Sequence, residues 1–250
     1  MSQATLADPL EPVAEDWQRA LAIVAHPDDL EFGSAAAIAR WTGQGKEVVY
    51  CLVTSGEAGI DAMTPDEARR VREEEQRASA ALVGVSVVEF LGRPDGVLEY
   101  GVALRRELAR VIRRHRPDIV ITNNFRDTWD GAVALNQADH IATGRAVLDA
   151  ARDAGNRWVF AELVDEGLEP WGHVKQVWAA GSPQSRHAVD VTETFDQGVA
   201  SLEAHDAYLR GLGSATFDAE EFLASVSRAA GTRLGCRYAA TFEVFPLNLF

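Results

Sequence analysis

The stretch LAIVAHPDDLE, residues 21–31, decides the fold. Its apolar half, residues 21–25, stops at His26-Pro27, and a proline biases the residue before it towards extended backbone, so a buried strand ends there. From Asp29 onward Leu30, Ala37, Ile38 and Trp41 recur at helical spacing, with Gly43 and Gly45 as breakers. The next apolar run, residues 48–53, closes in Thr54-Ser55-Gly56-Glu57. The alternation then repeats: a helix over 65–83 opened by Thr64-Pro65-Asp66-Glu67, a strand over 85–91, a helix over 102–114, a strand over 118–122, a helix near 139–152 and a strand over 158–163.

Near-continuous apolar strands separated by helices predict an α/β fold, Rossmann-like, with a mostly parallel sheet and helices on both faces. In such sheets the ligand crevice lies beyond the carboxyl ends of the strands. His26, Ser55, Arg93 and Asn123 all follow strand ends and are expected along one rim. After residue 164 the pattern changes to runs over 175–180, 187–191 and 238–245 and a helix over 195–209, read as extra C-terminal strands capping the same domain. Pro9 and Pro12 among Asp8, Glu11, Glu15 and Asp16 suggest a loose N-terminal arm, residues 1–20, ahead of a single domain, 21–250.

Composition narrows the partners. The chain has 250 residues, 47% hydrophobic and 25% charged, within the range of one α/β domain. Its 38 acidic against 24 basic side chains give a net charge of −14, a field that repels polyphosphate, so no nucleic acid and no membrane partner is expected. No run approaches the 18 or so apolar residues of a membrane span, and the first residues lack a signal-peptide pattern, so a cytoplasmic location is expected. Cys51 and Cys236 are too few for a disulfide framework and read as free thiols. The oligomeric state is left open, a homo-oligomer included.

Two clusters carry the chemistry. In the first, Asp28 or Asp29 with Glu31 suits a helix N-terminus, but that leaves a histidine and a second aspartate crowded at the rim, an arrangement that makes sense around a cation. The second, Asn136-Gln137-Ala138-Asp139-His140, reads alone as a helix start. Taken together the clusters offer His26, Asp29 and His140, two imidazoles and one carboxylate with open positions for water and substrate. Asp28 is the spare carboxylate, where a general base belongs. Nothing in the ligand set excludes ferrous iron or another divalent metal, or a two-histidine, one-carboxylate iron oxygenase. A lone Gly-x-x-Gly at Gly56 to Gly59 is no dinucleotide fingerprint.

Residues 25–29 with Glu31 reproduce AHPDD-x-E, and Asp139-His140 the end of H-x-D-H; with these motifs the chain resembles the LmbE-like, PIG-L-type metal-dependent N-deacetylases. Thr54 to Gly59, the Arg69–Glu75 helix, Gly92 to Gly96, Val189 to Thr192 and Leu202 to His205 resemble further landmarks. The resemblance implies a zinc hydrolase, one Zn2+ per chain, that removes an N-acetyl group from an N-acetylglucosamine-like amino sugar or its conjugate. It places the metal on His26, Asp29 and His140, acid/base work on Asp28, and Asp139 behind a ligand imidazole. Arg72 and Asp95 fall where relatives touch substrate; the plain alternatives are a solvated helix face and a Pro-Asp-Gly turn. Gln137 stands where the family has the first histidine of H-x-D-H, and a neutral amide can donate a hydrogen bond to an oxyanion but cannot protonate an amine. His173 and His187 are the other candidate acids, and Trp129, Trp158, Trp171 and Trp178 the candidate sugar platforms. The alternatives are an amidase of a thiol-sugar conjugate and a metal-bearing sugar-binding protein without turnover.

Overall fold

Eight strands form one sheet in the computed structural model, which describes residues 8–129, 134–212 and 217–247. In chain order they are β1 (Glu11–Pro12), β2 (Arg19–Val24), β3 (Glu47–Leu52), β4 (Val87–Phe90), β5 (Ile119–Asn123), β6 (Gln176–Ala180), β7 (His187–Asp190) and β8 (Ala239–Pro246). The spatial order is β1-β7-β8-β6-β5-β2-β3-β4, and every pairing is parallel except those of β8 with β6 and β7. The expected mostly parallel sheet with added C-terminal strands is therefore what the chain forms. Its helices are α1 (Ala35–Gly43), α2 (Pro65–Leu82), α3 (Val102–His115), α4 (Ala138–Asp153), α5 (Glu162–Asp165), α6 (Phe195–Glu203), α7 (Asp206–Gly211) and α8 (Ala219–Leu234). Among the described residues no helix is long and apolar enough to cross a membrane.

Successive strand residues point to opposite faces, and β2 is buried on both. Ala20, Ala22 and Val24 join Trp17, Trp41, Tyr50, Trp178 and Phe242 on one side, where α1, α6 and α8 pack. Leu21 and Ile23 join Leu108, Ile112, Val147 and Ala150 of α3 and α4 on the other. The chain runs outward from β2 to β3 and β4, then returns to place β5 on the other flank of β2. The strand order reverses between β2 and β5, and a crevice opens at their carboxyl ends.

Four local readings change. The arm read as loose is, from Leu10 on, laid against the sheet: the Leu10 N–H donates to Arg233 O at 3.1 Å, β1 pairs with β7, and Trp17 is 2% exposed with its ring edge-on to Trp41 and Trp178. The acidic and proline residues of that stretch mask Leu10, Val13 and Trp17, whose burial ties it down; residues 1–7 lie outside the described residues. The strand expected over 158–163 is absent: Trp158 is 82% exposed, and turns lead into α5. Its place beside β5 is taken by β6, and the Arg113 guanidinium donates to the carbonyls of Ala154, Asn156 and Val159, satisfying backbone that a ladder would otherwise serve. The helix expected over 195–209 breaks at His205, where the Ala207 N–H turns to Glu75 Oε1 at 2.6 Å. The helix expected from Asp29 starts only at Ala35; residues 27–34 are turns. The capped helix α8, with Asp218 accepting from the Glu221 N–H and Gly235 in the left-handed region, was not anticipated.

Candidate metal centre and active site

The turn after β2 is tightly held. Asp28 has φ of +87°, which few non-glycine residues adopt. Its N–H donates to Gln76 Oε1 at 3.0 Å, and its Oδ2 accepts from Arg72 Nη2 at 2.5 Å. Arg72 also donates to Pro27 O and Gly56 O, and any Cβ on Gly56, itself at positive φ, would collide with the guanidinium. Glu31, expected in the first turn of a helix, lies instead in the turn and points inward: its Oε1 accepts from Gln76 Nε2 at 2.9 Å and Ser79 Oγ at 2.7 Å, and Oε2 lies 3.7 Å from the buried His205 Nε2. Arg72, Gln76 and Ser79 lie on one face of α2 and clamp the turn from Pro27 to Glu31.

The clamped turn and the start of α4 bring three candidate ligand atoms together. The Asp29 carboxylate folds back, Oδ2 accepting the His26 N–H at 2.9 Å, which leaves Oδ1 2.9 Å from His140 Nε2 and 3.8 Å from His26 Nδ1. His26 Nδ1 and His140 Nε2 are 3.2 Å apart. The opposite nitrogen of each ring faces an acceptor. His26 Nε2 is 3.1 Å from Asp95 Oδ1 and 3.3 Å from Asp139 Oδ2; His140 Nδ1 is 2.9 Å from Asn136 Oδ1. The Asn136 amide is oriented independently, because its Nδ2 donates to Asn124 O and Arg126 O. The ring N–H groups therefore belong on His26 Nε2 and His140 Nδ1, and in the neutral tautomers two imidazole lone pairs and a carboxylate converge. That donor set suits a divalent cation, with the acceptors behind each ring fixing its orientation.

The electrostatics agree with a place for positive charge. Burial opposes a charged His26, but Asp139, Asp29 and Asp95 outweigh it and raise its pKa well above 6.5. Burial also opposes ionisation of Asp29, yet His140 and His26 hold its pKa far below the usual carboxylate range. For Asp28 burial dominates; Arg72 offsets part of it and Asp29 adds to it, leaving the pKa raised to about 6, suited to exchanging protons near neutrality.

A cavity of about 430 Å³ opens on these groups. Of the residues singled out from sequence, His26, Asp28, Asp29, Arg72, Asp95, Asn123, Trp129, Gln137 and His140 line it, and Asp139 sits behind His26, its carboxylate accepting from the Gly96 and Leu98 N–H groups. Arg72 is 3% exposed, so the solvated-face reading fails for it. Asp95 is in a turn but also touches His26 and accepts from the Ala58 N–H. Gln137, the exposed N-cap of α4, lies at the cavity. Ser55 and Arg93 follow the ends of β3 and β4 as expected but do not line the cavity, Ser55 Oγ donating to Glu73 and Arg93 to Glu107; His173 sits on Trp171, and His187 lies near Glu11 on the sheet edge. Among the four tryptophans Trp129 alone lines the cavity, 5.9 Å from the His140 ring and edge-on; Trp178 is core. Sequence reasoning quoted Asn136 without giving it a role and passed over Gln76, Phe32 and Tyr208, whose ring covers the Arg72 guanidinium at 4.1 Å.

The family model described as PIG-L: GlcNAc-PI de-N-acetylase matches residues 21–151, just over half of the chain. The chain belongs to the PIG-L family. Both candidate ligand clusters fall inside the matched PIG-L segment. Over 237 residues the chain is 27% identical to diacetylchitobiose deacetylase of Thermococcus kodakarensis, covering 92% of this chain and 84% of that one. It is 29% identical over 204 residues to a 1D-myo-inositol 2-acetamido-2-deoxy-alpha-D-glucopyranoside deacetylase of Kineococcus radiotolerans, covering 67% and 53% respectively. The solved structure of N,N'-diacetylchitobiose deacetylase from Pyrococcus horikoshii matches with a TM-score of 0.83 at 24% identity, over 97% of this chain and 88% of that one, a likeness of fold.

Proposed function

We propose that the chain is a zinc-dependent hydrolase that removes the N-acetyl group from an N-acetylglucosamine-like amino sugar or its conjugate. The observation that carries this reading is the convergence of His26 Nδ1, His140 Nε2 and Asp29 Oδ1 beside a separate buried carboxylate, Asp28. The names of its PIG-L relatives, deacetylases of diacetylchitobiose and of an acetamido-glucopyranoside, support the substrate class. When bound, one zinc ion polarises the acyl carbonyl and the attacking water.

The chain's own groups do the rest. Asp28 accepts the water proton and returns it to the departing amine; its raised pKa suits both roles. Arg72 holds that carboxyl in place through Oδ2. Gln137 offers an amide N–H to the oxygen that develops charge. Asp139 and Asp95 fix the His26 ring, and Asn136 fixes His140. Arg72 lines the cavity but its guanidinium is taken up by Gly56 O, Pro27 O and Asp28, so Asp95 and the aromatic walls are the better substrate contacts. A cytoplasmic location is part of the same reading, supported by two unpaired thiols, Cys51 and Cys236. The test is acetate and amine release from N-acetylglucosamine derivatives by the wild type and by His140→Ala. The variant should lose metal and turnover together; full metal occupancy after dialysis would remove His140 from the ligand set.

A further inference from the structure

We infer that this site, read as the deacetylase proposed above, selects amino sugars with a neutral or basic aglycone and discriminates against an anionic one. Asp28, Asp29 and Asp95 line the cavity, and Asp139 stands directly behind the His26 ring. Among the described lining residues the only arginine or lysine is Arg72, and it is already committed. Its Nη1 donates to Gly56 O, its Nη2 to Pro27 O and Asp28, and the Tyr208 ring covers it. Turning it towards a substrate phosphate or carboxylate would strand Asp28 buried and unpaired, which is strongly unfavourable.

The arginines next to the lining residues are paired as well, Arg69 with Glu57, Arg93 with Glu107 and Arg210 with Asp206, and the residues outside the described set contain no lysine or arginine. Four carboxylates against one guanidinium and one divalent ion still leave a net negative charge. The net charge of −14 on the chain adds a field of the same sign. Anion-recognising sites supply free arginine forks or lysines, and this cavity supplies instead the rings of Phe32, Trp129 and Tyr208, suited to the apolar faces of uncharged sugars.

Three disaccharides differing in one charge test this: N-acetylglucosamine linked β-1,4 to glucosamine, to glucose or to glucuronate, with acetate release followed on the metal-loaded enzyme. The glucuronate compound is expected to show kcat/KM at least about tenfold below the glucose compound, with the gap narrowing as salt rises from about 50 to about 300 mM. The glucosamine compound should match or exceed glucose. Ala58→Arg places a cation at the exposed rim beside Asp95 and should raise the glucuronate-to-glucose ratio at least about threefold. Equal or better use of glucuronate by the wild type overturns the inference while leaving the deacetylase reading intact. Acetate from none of the three removes that reading, and this one with it.

Discussion

One buried amide, Asn136, both orients the candidate ligand His140 and holds the loop that carries it. Its Oδ1 accepts from His140 Nδ1 and the Gln137 N–H, each at 2.9 Å, and its Nδ2 donates to Asn124 O at 2.8 Å and Arg126 O at 2.9 Å. Asn136→Ala leaves those carbonyls and the imidazole N–H without partners. At about 1 to 3 kcal/mol for each buried group left unpaired, partly offset by water entering from the cavity, the loss of stability is about 2 to 4 kcal/mol. Loss of the acceptor behind a ligand histidine should also weaken metal binding by roughly 10- to 100-fold. Asn136→Asp separates the effects: it keeps an acceptor for His140 but turns a carboxylate oxygen onto the two carbonyls, so metal affinity is retained while stability falls. Urea denaturation of the metal-free proteins and metal competition against a chelator read the two quantities. Wild-type metal affinity in Asn136→Ala would refute the tautomer argument, and wild-type stability in Asn136→Asp would refute the loop-anchoring one.

Asp28→Ala should keep its metal and lose at least about a hundredfold in kcat, the usual worth of a positioned acid/base; metal loss in that variant would make Asp28 a ligand. Gln137→Ala should slow acyl cleavage by about 3 kcal/mol of transition-state stabilisation with metal content intact, and unchanged turnover would mean the amide points away from the reacting carbonyl. His205 should make stability pH-dependent. Burial opposes its charge, but the Glu31 and Asp28 carboxylates prevail over burial and Arg72 and raise its pKa above 6.5. The stability it contributes is thus fully present below the unfolded value and lost as pH rises through the folded one. The difference in unfolding free energy between wild type and His205→Gln should shrink with rising pH over that window, and a difference that grows would reverse the assignment.

The strand ending at His26-Pro27 was legible because an apolar run and a proline are local signals, and a helix after it was too, but not its late start at Ala35. His140 was legible only through a second cluster placed at the same rim by a parallel sheet. The clamp on α2 was not, because that helix buries Ala68, Arg72, Gln76, Ser79 and Ala80, and a mostly polar stripe reads as a solvated face. The spacing of residues 72, 76 and 79 on an otherwise charged helix was the available clue. Trp17 and Trp158 misled in opposite directions. The first is buried within an acidic stretch and the second exposed in an apolar-looking one, since three-dimensional neighbours rather than local composition decide which ring the core takes. Tyr208 follows the break in the chain at His205, a residue buried beside Glu31, and such a tertiary event leaves no local signal.

The most direct test of the central claim is a metal titration of chelator-stripped protein with N,N'-diacetylchitobiose as substrate, counting acetate released against free amine formed. Acetate and amine should appear in equal amounts, be absent from the stripped protein, and rise to a plateau at one zinc ion per chain. Full turnover by the stripped protein, or none at any metal loading, would contradict a single-metal N-deacetylase built on His26, Asp29 and His140.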